Sequence, residues 1–213
     1  YEALSDATGT PTRVTCIGHE SQYKSTTDAD DNTTVGYKTL RYNTTGSKNS
    51  AFGSYALWSN TTGTNNVANG YYALYDNTTG SKNVAIGSEA LQNNTTGQQN
   101  VAIGSEALNS ATETYWNVGI GERALHSCSS GWLNIGIGLK AAENLTSGQR
   151  NIVLGDQAAP DLTSGDHNIC LGKESGSNLT TGDNNICLGN DSTVSSSSVS
   201  NEITLGNSSI SSL

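Results

Sequence analysis

Apolar and polar positions alternate along this chain in short bursts, and the bursts keep a fixed interval. Segments such as Val84-Ala85-Ile86-Gly87 and Val101-Ala102-Ile103-Gly104 recur from end to end, each closed by a glycine: Gly18, Gly36, Gly53, Gly70, Gly87, Gly104, Gly121, Gly138, Gly155, Gly172, Gly189 and Gly206. The interval is 17 residues at ten of the eleven steps, with one extra residue between the first two glycines. A constant period predicts units that each bury an apolar face against the next copy. Columns of equivalent residues, more than neighbours in sequence, then carry the structure.

Within a unit the pattern approaches Asn-Thr-Thr-Gly-x-x-Asn-Val-Ala-Ile-Gly-x-x-Ala-Leu, as from Asn77 to Leu91 and from Asn94 to Leu108. Alternation in Val84-Ala85-Ile86 puts the outer two side chains on one face. These pairs, with Ile135/Ile137, Ile152/Leu154 and Ile169/Leu171, are expected to line an inner wall. Leu40, Leu57, Leu74, Leu91, Leu108 and Leu125, four residues after their glycines, form a second apolar column expected to face the first. The expected fold is all-β: a parallel β-solenoid, a two-sheet β-roll of about twelve 17-residue coils. At roughly 4.8 Å per coil the rod is roughly 58 Å long.

No break in composition interrupts the period, so a single domain is expected over 1–213. It divides into an incoming partial repeat at 1–17, regular coils over 18–206 and a C-terminal end at 207–213. Tyr1-Glu2-Ala3-Leu4 matches Ser88-Glu89-Ala90-Leu91, which leads us to expect that the array continues upstream in a longer parent. The repeat glycines suit a corner with positive φ or a close backbone approach, and a second set seven residues earlier, such as Gly80 and Gly97, marks the other turn. Asparagine fills ten of twelve positions before the apolar triplet, from Asn32 to Asn185, and reads as a ladder of side-chain amides.

The column between the wall residues is small: Ala51, Ala68, Ala85, Ala102, Gly119, Gly136, Cys170 and Cys187. Read as outward, it asks for a closely packed neighbour, and the expectation is a homotrimer with these residues at the contact between chains. Only 33% of residues are hydrophobic, which is thin for a self-sufficient core. The formal charge of −9 argues against nucleic acid and anionic membrane as partners. No run of apolar residues is long enough for membrane insertion, and no leader peptide is read.

The segments Asn83-Val84-Ala85-Ile86-Gly87 and Asn100-Val101-Ala102-Ile103-Gly104, each followed by Ala-Leu, resemble the head repeats of YadA-like trimeric autotransporter adhesins. That resemblance implies a left-handed, trimeric parallel β-roll. The Asn-Thr-Thr-Gly turns make the 17-residue form similar to repeats of bacteriophage tail-fibre proteins. Asn201-Glu202-Ile203-Thr204-Leu205-Gly206-Asn207-Ser208-Ser209-Ile210 is similar to the wording that precedes the self-cleaving intramolecular chaperone of such fibres. No such chaperone is read after this segment, and the expectation is a released mature fibre or a shortened chain. The implied role is a structural and adhesive shaft in a virion tail fibre, with other fibre or virion proteins and a host-surface glycan as partners. A bacterial trimeric surface adhesin is the alternative.

Candidate chemistry follows from the columns. Trp58 and Tyr75 stack in adjacent coils, Tyr23 shares their column, and Tyr37, Tyr55, Tyr71 and Tyr72 sit just after their glycines. A second group pairs Tyr115 over Trp132, with Trp116 beside them. Flat aromatic platforms near Asn, Asp and Ser hold sugar rings, so these are the candidate glycan-binding residues. Glu89 and Glu106 fall one coil apart, near the separation of retaining glycosidases, but their column continues to Arg123 and reads as a charge ladder. His19, His126 and His167 occupy different columns with no triad around them. We therefore assign no catalytic residue, metal or cofactor. Asp28, Asp30 and Asp31 lack calcium-loop spacing. Cys170 and Cys187 share a column in neighbouring coils and read as buried thiols. Asn43, Asn60, Asn77, Asn94, Asn144 and Asn178 head Asn-x-Thr motifs that the turn itself demands. A threonine grid for ice is disfavoured because the threonine column decays to Ser and Leu in later coils.

Overall fold

A computed structural model describes residues 3–4, 12–26 and 28–210. The expected end segments 1–17 and 207–213 lie partly outside the described residues. Twelve three-residue strands make one parallel sheet in strict sequence order: β1 Thr15–Ile17, β2 Thr33–Val35, β3 Ser50–Phe52, β4 Val67–Asn69, β5 Val84–Ile86, β6 Val101–Ile103, β7 Val118–Ile120, β8 Ile135–Ile137, β9 Ile152–Leu154, β10 Ile169–Leu171, β11 Ile186–Leu188 and β12 Ile203–Leu205. Register is exact by repeat, with Val84 opposite Val101 and Ala85 opposite Ala102. The chain is a parallel β-solenoid with 17-residue coils.

The expected second sheet is absent among the described residues. Its place is taken by turns that hydrogen-bond from coil to coil, with only Gln98, Tyr115 and Trp132 joined as isolated bridges. The turns use left-handed backbone at non-glycine residues in fixed columns, as at Lys82, Glu89 and Leu91 with φ of 61°, 58° and 51°. Each such residue is strained. The strain aims N–H groups along the rod: Glu89 N donates to Tyr71 O in the coil below, and Leu91 N to Ala107 O in the coil above. A coil therefore satisfies most of its backbone through its neighbours.

The strand faces are the reverse of the expectation. Ala51, Ala68, Ala85, Ala102, Gly119, Gly136, Cys170 and Cys187 point into the coil, and the alanines and cysteines are fully buried within a single chain. They are core residues rather than trimer contacts. The flanking pairs face out, with Ile86, Ile137 and Ile152 each 37% exposed. The physical reason is space. Leu91, Ala90 and the buried Asn77 and Asn83 already fill the interior of their coil, so only a methyl fits opposite.

Core volume is conserved while its location moves. The leucine column runs from Leu40 to Leu125 and then shrinks to Ala142, Ala159 and Gly176; another column grows through Ala111 and Cys128 to Leu145, Leu162 and Leu179. Against the last leucines of the first column the strand gives way to glycine: a Cβ on Gly136 would lie 2.8 Å from Leu125 Cγ.

Asparagines form two ladders, of which the sequence reading found one. In the first, from Asn32 to Asn185, each Oδ1 accepts the backbone N–H of the next residue in its column, as Asn100 N to Asn83 Oδ1 at 3.0 Å, the last donor being Glu202. In the second, Asn60, Asn77 and Asn94 donate to the preceding Oδ1 at 2.7–2.8 Å. This ladder stops at Ala111, which leaves Asn94 Oδ1 buried without a partner. Three residues on, Thr114 replaces the column's glycine, and its Oγ1 is also buried and unpartnered. Val199 holds the equivalent place near the C-terminal end. Thr114→Val is therefore expected to stabilise the chain by about 1 kcal/mol, by removing a hydroxyl that has lost its water. A higher urea midpoint with an unchanged slope is the measurement that checks it.

One threonine column persists apart from Ser129 and Ser197, while the column beside it decays from Thr45, Thr62, Thr79 and Thr96 to Glu113, Ser130, Ser147 and Ser164. Thr44, Thr61, Thr78, Thr95, Thr112, Thr146, Thr163 and Thr180 each donate Oγ1 to a carbonyl of the next coil, and the buried asparagine column is the one that becomes leucine.

Candidate functional site: an aromatic platform on the first coils

The repeat converts distant residues into vertical neighbours, and at β1 to β4 those neighbours are aromatic. Trp58 and Tyr75 lie parallel, with ring centroids 4.9 Å apart and planes 4° apart, as their shared column requires. Tyr55 stacks on Tyr72 at 5.0 Å. Tyr72 meets Tyr71 edge-on at 4.3 Å and Tyr75 at 4.6 Å. Tyr37 continues the surface, edge-on to Tyr55 at 5.3 Å and stacked with His19 at 5.6 Å. A hydrogen bond with the Tyr71 hydroxyl, then burial, pushes the Tyr72 phenol up to about 12. Tyr71 and Tyr37 are the outermost rings, 52% and 41% exposed.

Tyr23 does not touch Trp58. Arg41 occupies the coil between them, its guanidinium 5.2 Å from the Tyr23 ring and 4.7 Å from that of Tyr42. Tyr42, unremarked in the sequence reading, is edge-on to Trp58 at 4.6 Å. Trp58 Nε1 is buried without a partner. Arg41 pairs with Glu20, whose carboxyl it holds below the usual range. Two lysines complete the rim: Lys24 Nζ lies 5.4 Å from the Tyr42 centroid and Lys38 Nζ 5.0 Å from that of Tyr37.

The second aromatic group is looser. Tyr115 and Trp132 are joined through backbone, and the ring contact of Tyr115 is with Trp116 at 5.8 Å. Arg150 covers Trp132 at 4.2 Å, so this face is already occupied.

Glu106 sits in the expected charge ladder. Arg123 bridges it, at 3.3 Å, to Glu143, at 2.6 Å. His126 Nε2 is 3.4 Å from Glu106 Oε2 and Nδ1 is 3.4 Å from Ser127 Oγ, a neighbour the sequence reading did not weigh. Burial and Arg123 hold His126 below its ordinary pKa despite Glu106. The carboxylate thus serves one cation, Arg123, and one imidazole at the surface. Asp30 accepts Thr12 N–H and Asp31 pairs with Arg13, so two of the three carboxylates are engaged within the chain. Among the described residues, no group of three His, Cys, Asp or Glu side chains is placed to hold a metal ion, and no helix is long and apolar enough to cross a membrane.

Cys128, Cys170 and Cys187 are free and fully buried; Cys16 is half-buried. Burial pushes the Cys128 thiol up to about 12, and the contact with Cys187 together with burial raises Cys170. An aromatic disulfide reagent at pH 8 is expected to titrate at most one thiol in the native chain and all four in denaturant. Fast labelling of three or more in the native state would contradict this packing.

Compared with known protein families, with curated proteins and with solved structures, the chain matches none.

Proposed function

We propose that the chain is a structural and adhesive shaft segment of a viral fibre, of the phage-tail kind, which works as a homotrimer and presents host-surface contacts at fixed heights along a stiff rod. The observation that supports this most is the outward Val/Ile/Leu stripe. From β5 to β12 it is two side chains wide and roughly 34 Å tall, with apolar residues at every outward strand position. Continuous apolar surface of that extent is characteristic of an interface. Parallel copies, each with the same stripe, bury it in register around a common axis. The corrected orientation of the strands moves the contact between chains from the small column to this one.

Three identical chains triplicate any weak site on the rod, and avidity follows from geometry without new contacts. Native mass spectrometry of the purified chain tests assembly, with a trimer expected. Replacing Ile120 and Ile137 with lysine sets unpaired charges into the stripe, and is expected to give a monomer with an unchanged circular dichroism spectrum. A wild-type monomer, or a trimer indifferent to both lysines, would refute the assembly.

A further inference from the structure

The rod is acidic, but not uniformly. Residues 12–50 carry five Lys or Arg against four Asp or Glu; residues 51–210 carry five against thirteen. The aromatic platform begins in the one stretch that does not repel an anion. Of the five cations there, Arg13 and Arg41 are held by carboxylates and Lys48 acts on Asp31, whereas Lys24 and Lys38 make no ion pair among the described residues and lie over tyrosine rings.

The outward strand face also changes character at this end. Each of β1 to β4 has one polar outward residue, namely Thr15, Thr33, Ser50 and Asn69, so the apolar stripe that suits a second copy gives way beside the platform. The tyrosines are left as a separate surface. Tyr37, Tyr55, Tyr71 and Tyr72 occupy three successive coils, roughly 10 Å of rod, which is the reach of two or three sugar rings.

We propose that this platform binds an acidic polysaccharide, a chain bearing carboxylated sugars: the ring faces pack on Tyr71 and Tyr37, and the carboxylates meet Lys38 and Lys24. The proposal rests on the adhesive reading and deepens it. Stacking supplies contact at little entropic cost, because the rings are already fixed by their neighbours. The two lysines supply the choice of anion, since elsewhere the field of the rod disfavours one. Binding is correspondingly weakened by salt.

The test uses the intact chain in calorimetry against three probes: polygalacturonate, its methyl ester and dextran. Polygalacturonate is expected to bind, with affinity about tenfold lower after esterification and about tenfold lower in a Lys24→Gln/Lys38→Gln variant. Lys173→Gln, a lysine paired with Glu174 at the far end, is expected to change nothing. Tyr71→Ala is expected to abolish binding while native mass spectrometry shows the same assembly as wild type. Equal affinity for dextran and the ester would overturn the acidic class and leave glycan adhesion standing. Absence of binding to all three would overturn the platform, and a change of assembly state in Tyr71→Ala would reassign it to chain contact; the shaft role is judged separately by the mass of the wild type.

Discussion

Gly104→Ala is expected to destabilise the chain by about 3 to 6 kcal/mol, the sum of a backbone conformation that L-residues rarely adopt and a direct collision. Gly104 has φ +135°, and a Cβ there would lie 2.4 Å from Gly121 O and 2.5 Å from Gly121 C. Gly87 stands against Gly104 in the same way, with Gly104 O 2.4 Å from its absent Cβ. The corner is a column of glycines stacked backbone on backbone. Relief requires two coils to separate, which breaks the bonds that run from Gly121 N to Ile103 O and from Arg123 N to Ser105 O. In an array where each unit is stabilised by its neighbours, a central break uncouples the two halves. Hydrogen exchange should show protection lost first around β6 and β7, and urea unfolding should lose cooperativity. Ser105→Ala, one residue on and exposed, is the control and is expected within about 0.5 kcal/mol of wild type. A Gly104→Ala chain that unfolds at the wild-type midpoint would sink this account of the corner.

The period, the strand positions and the glycine corner were legible because each is a local signal repeated in phase. A parallel in-register stack of short strands gives the glycines from Gly18 to Gly172 the same corner, each against the next glycine's carbonyl. The face of the strand was not legible from one repeat, since Val84-Ala85-Ile86 offers two apolar side chains to one side and a methyl to the other, and hydrophobicity alone favours burying the larger pair. The deciding signal lies in how columns vary together. Leu125 is succeeded by Ala142, Ala159 and Gly176 while Gly136 is succeeded by Val153, Cys170 and Cys187. Two columns that trade volume face each other across one cavity, so the small column must point inward. The second asparagine ladder was hidden for a related reason: Asn-Thr-Thr-Gly reads as turn chemistry, and burial of its asparagines appears only when coils are stacked.

At the platform, column arithmetic found the rings that share a column, Trp58 with Tyr75, and missed those that meet diagonally. Tyr42 reaches Trp58 from the position beside its column. Arg41 was overlooked as the residue that separates Tyr23 from Trp58, though its number alone places it there. Lys24 and Lys38 look like ordinary solvated lysines until their rings and the acidity of the remaining coils are set beside them.

Asn134→Leu is expected to cost about 3 to 5 kcal/mol, although it exchanges a polar side chain for an apolar one of similar size in a buried site. Asn134 Nδ2 donates to Gly148 O at 2.7 Å and to Asn117 Oδ1 at 3.2 Å; its Oδ1 accepts Asn151 N–H at 3.0 Å. Leucine leaves the Gly148 carbonyl and the Asn151 N–H buried with no partner, at about 1 to 3 kcal/mol each. Asn117 Oδ1 keeps its bond from Asn134 N at 2.9 Å, so the loss falls on one side of the rung. Ile135→Ala, on the adjacent outward residue, should cost only about 1 to 2 kcal/mol in a single chain, because that side chain is half-buried. The order of the two effects is the test: in an ordinary apolar core it would be reversed. Asn134→Asp separates the roles further. Its carboxyl keeps an acceptor for Asn151 N–H but loses the donors, and burial raises its folded pKa above the unfolded value of about 3.9. The aspartate variant is therefore expected to be closest to wild type at low pH and to lose stability as pH rises through that folded value. Unfolding free energies for the three variants at pH 3 and pH 7 decide it, and a leucine variant less than about 1 kcal/mol below wild type would mean that the ladder is ornamental and the coils are held by their apolar contacts alone.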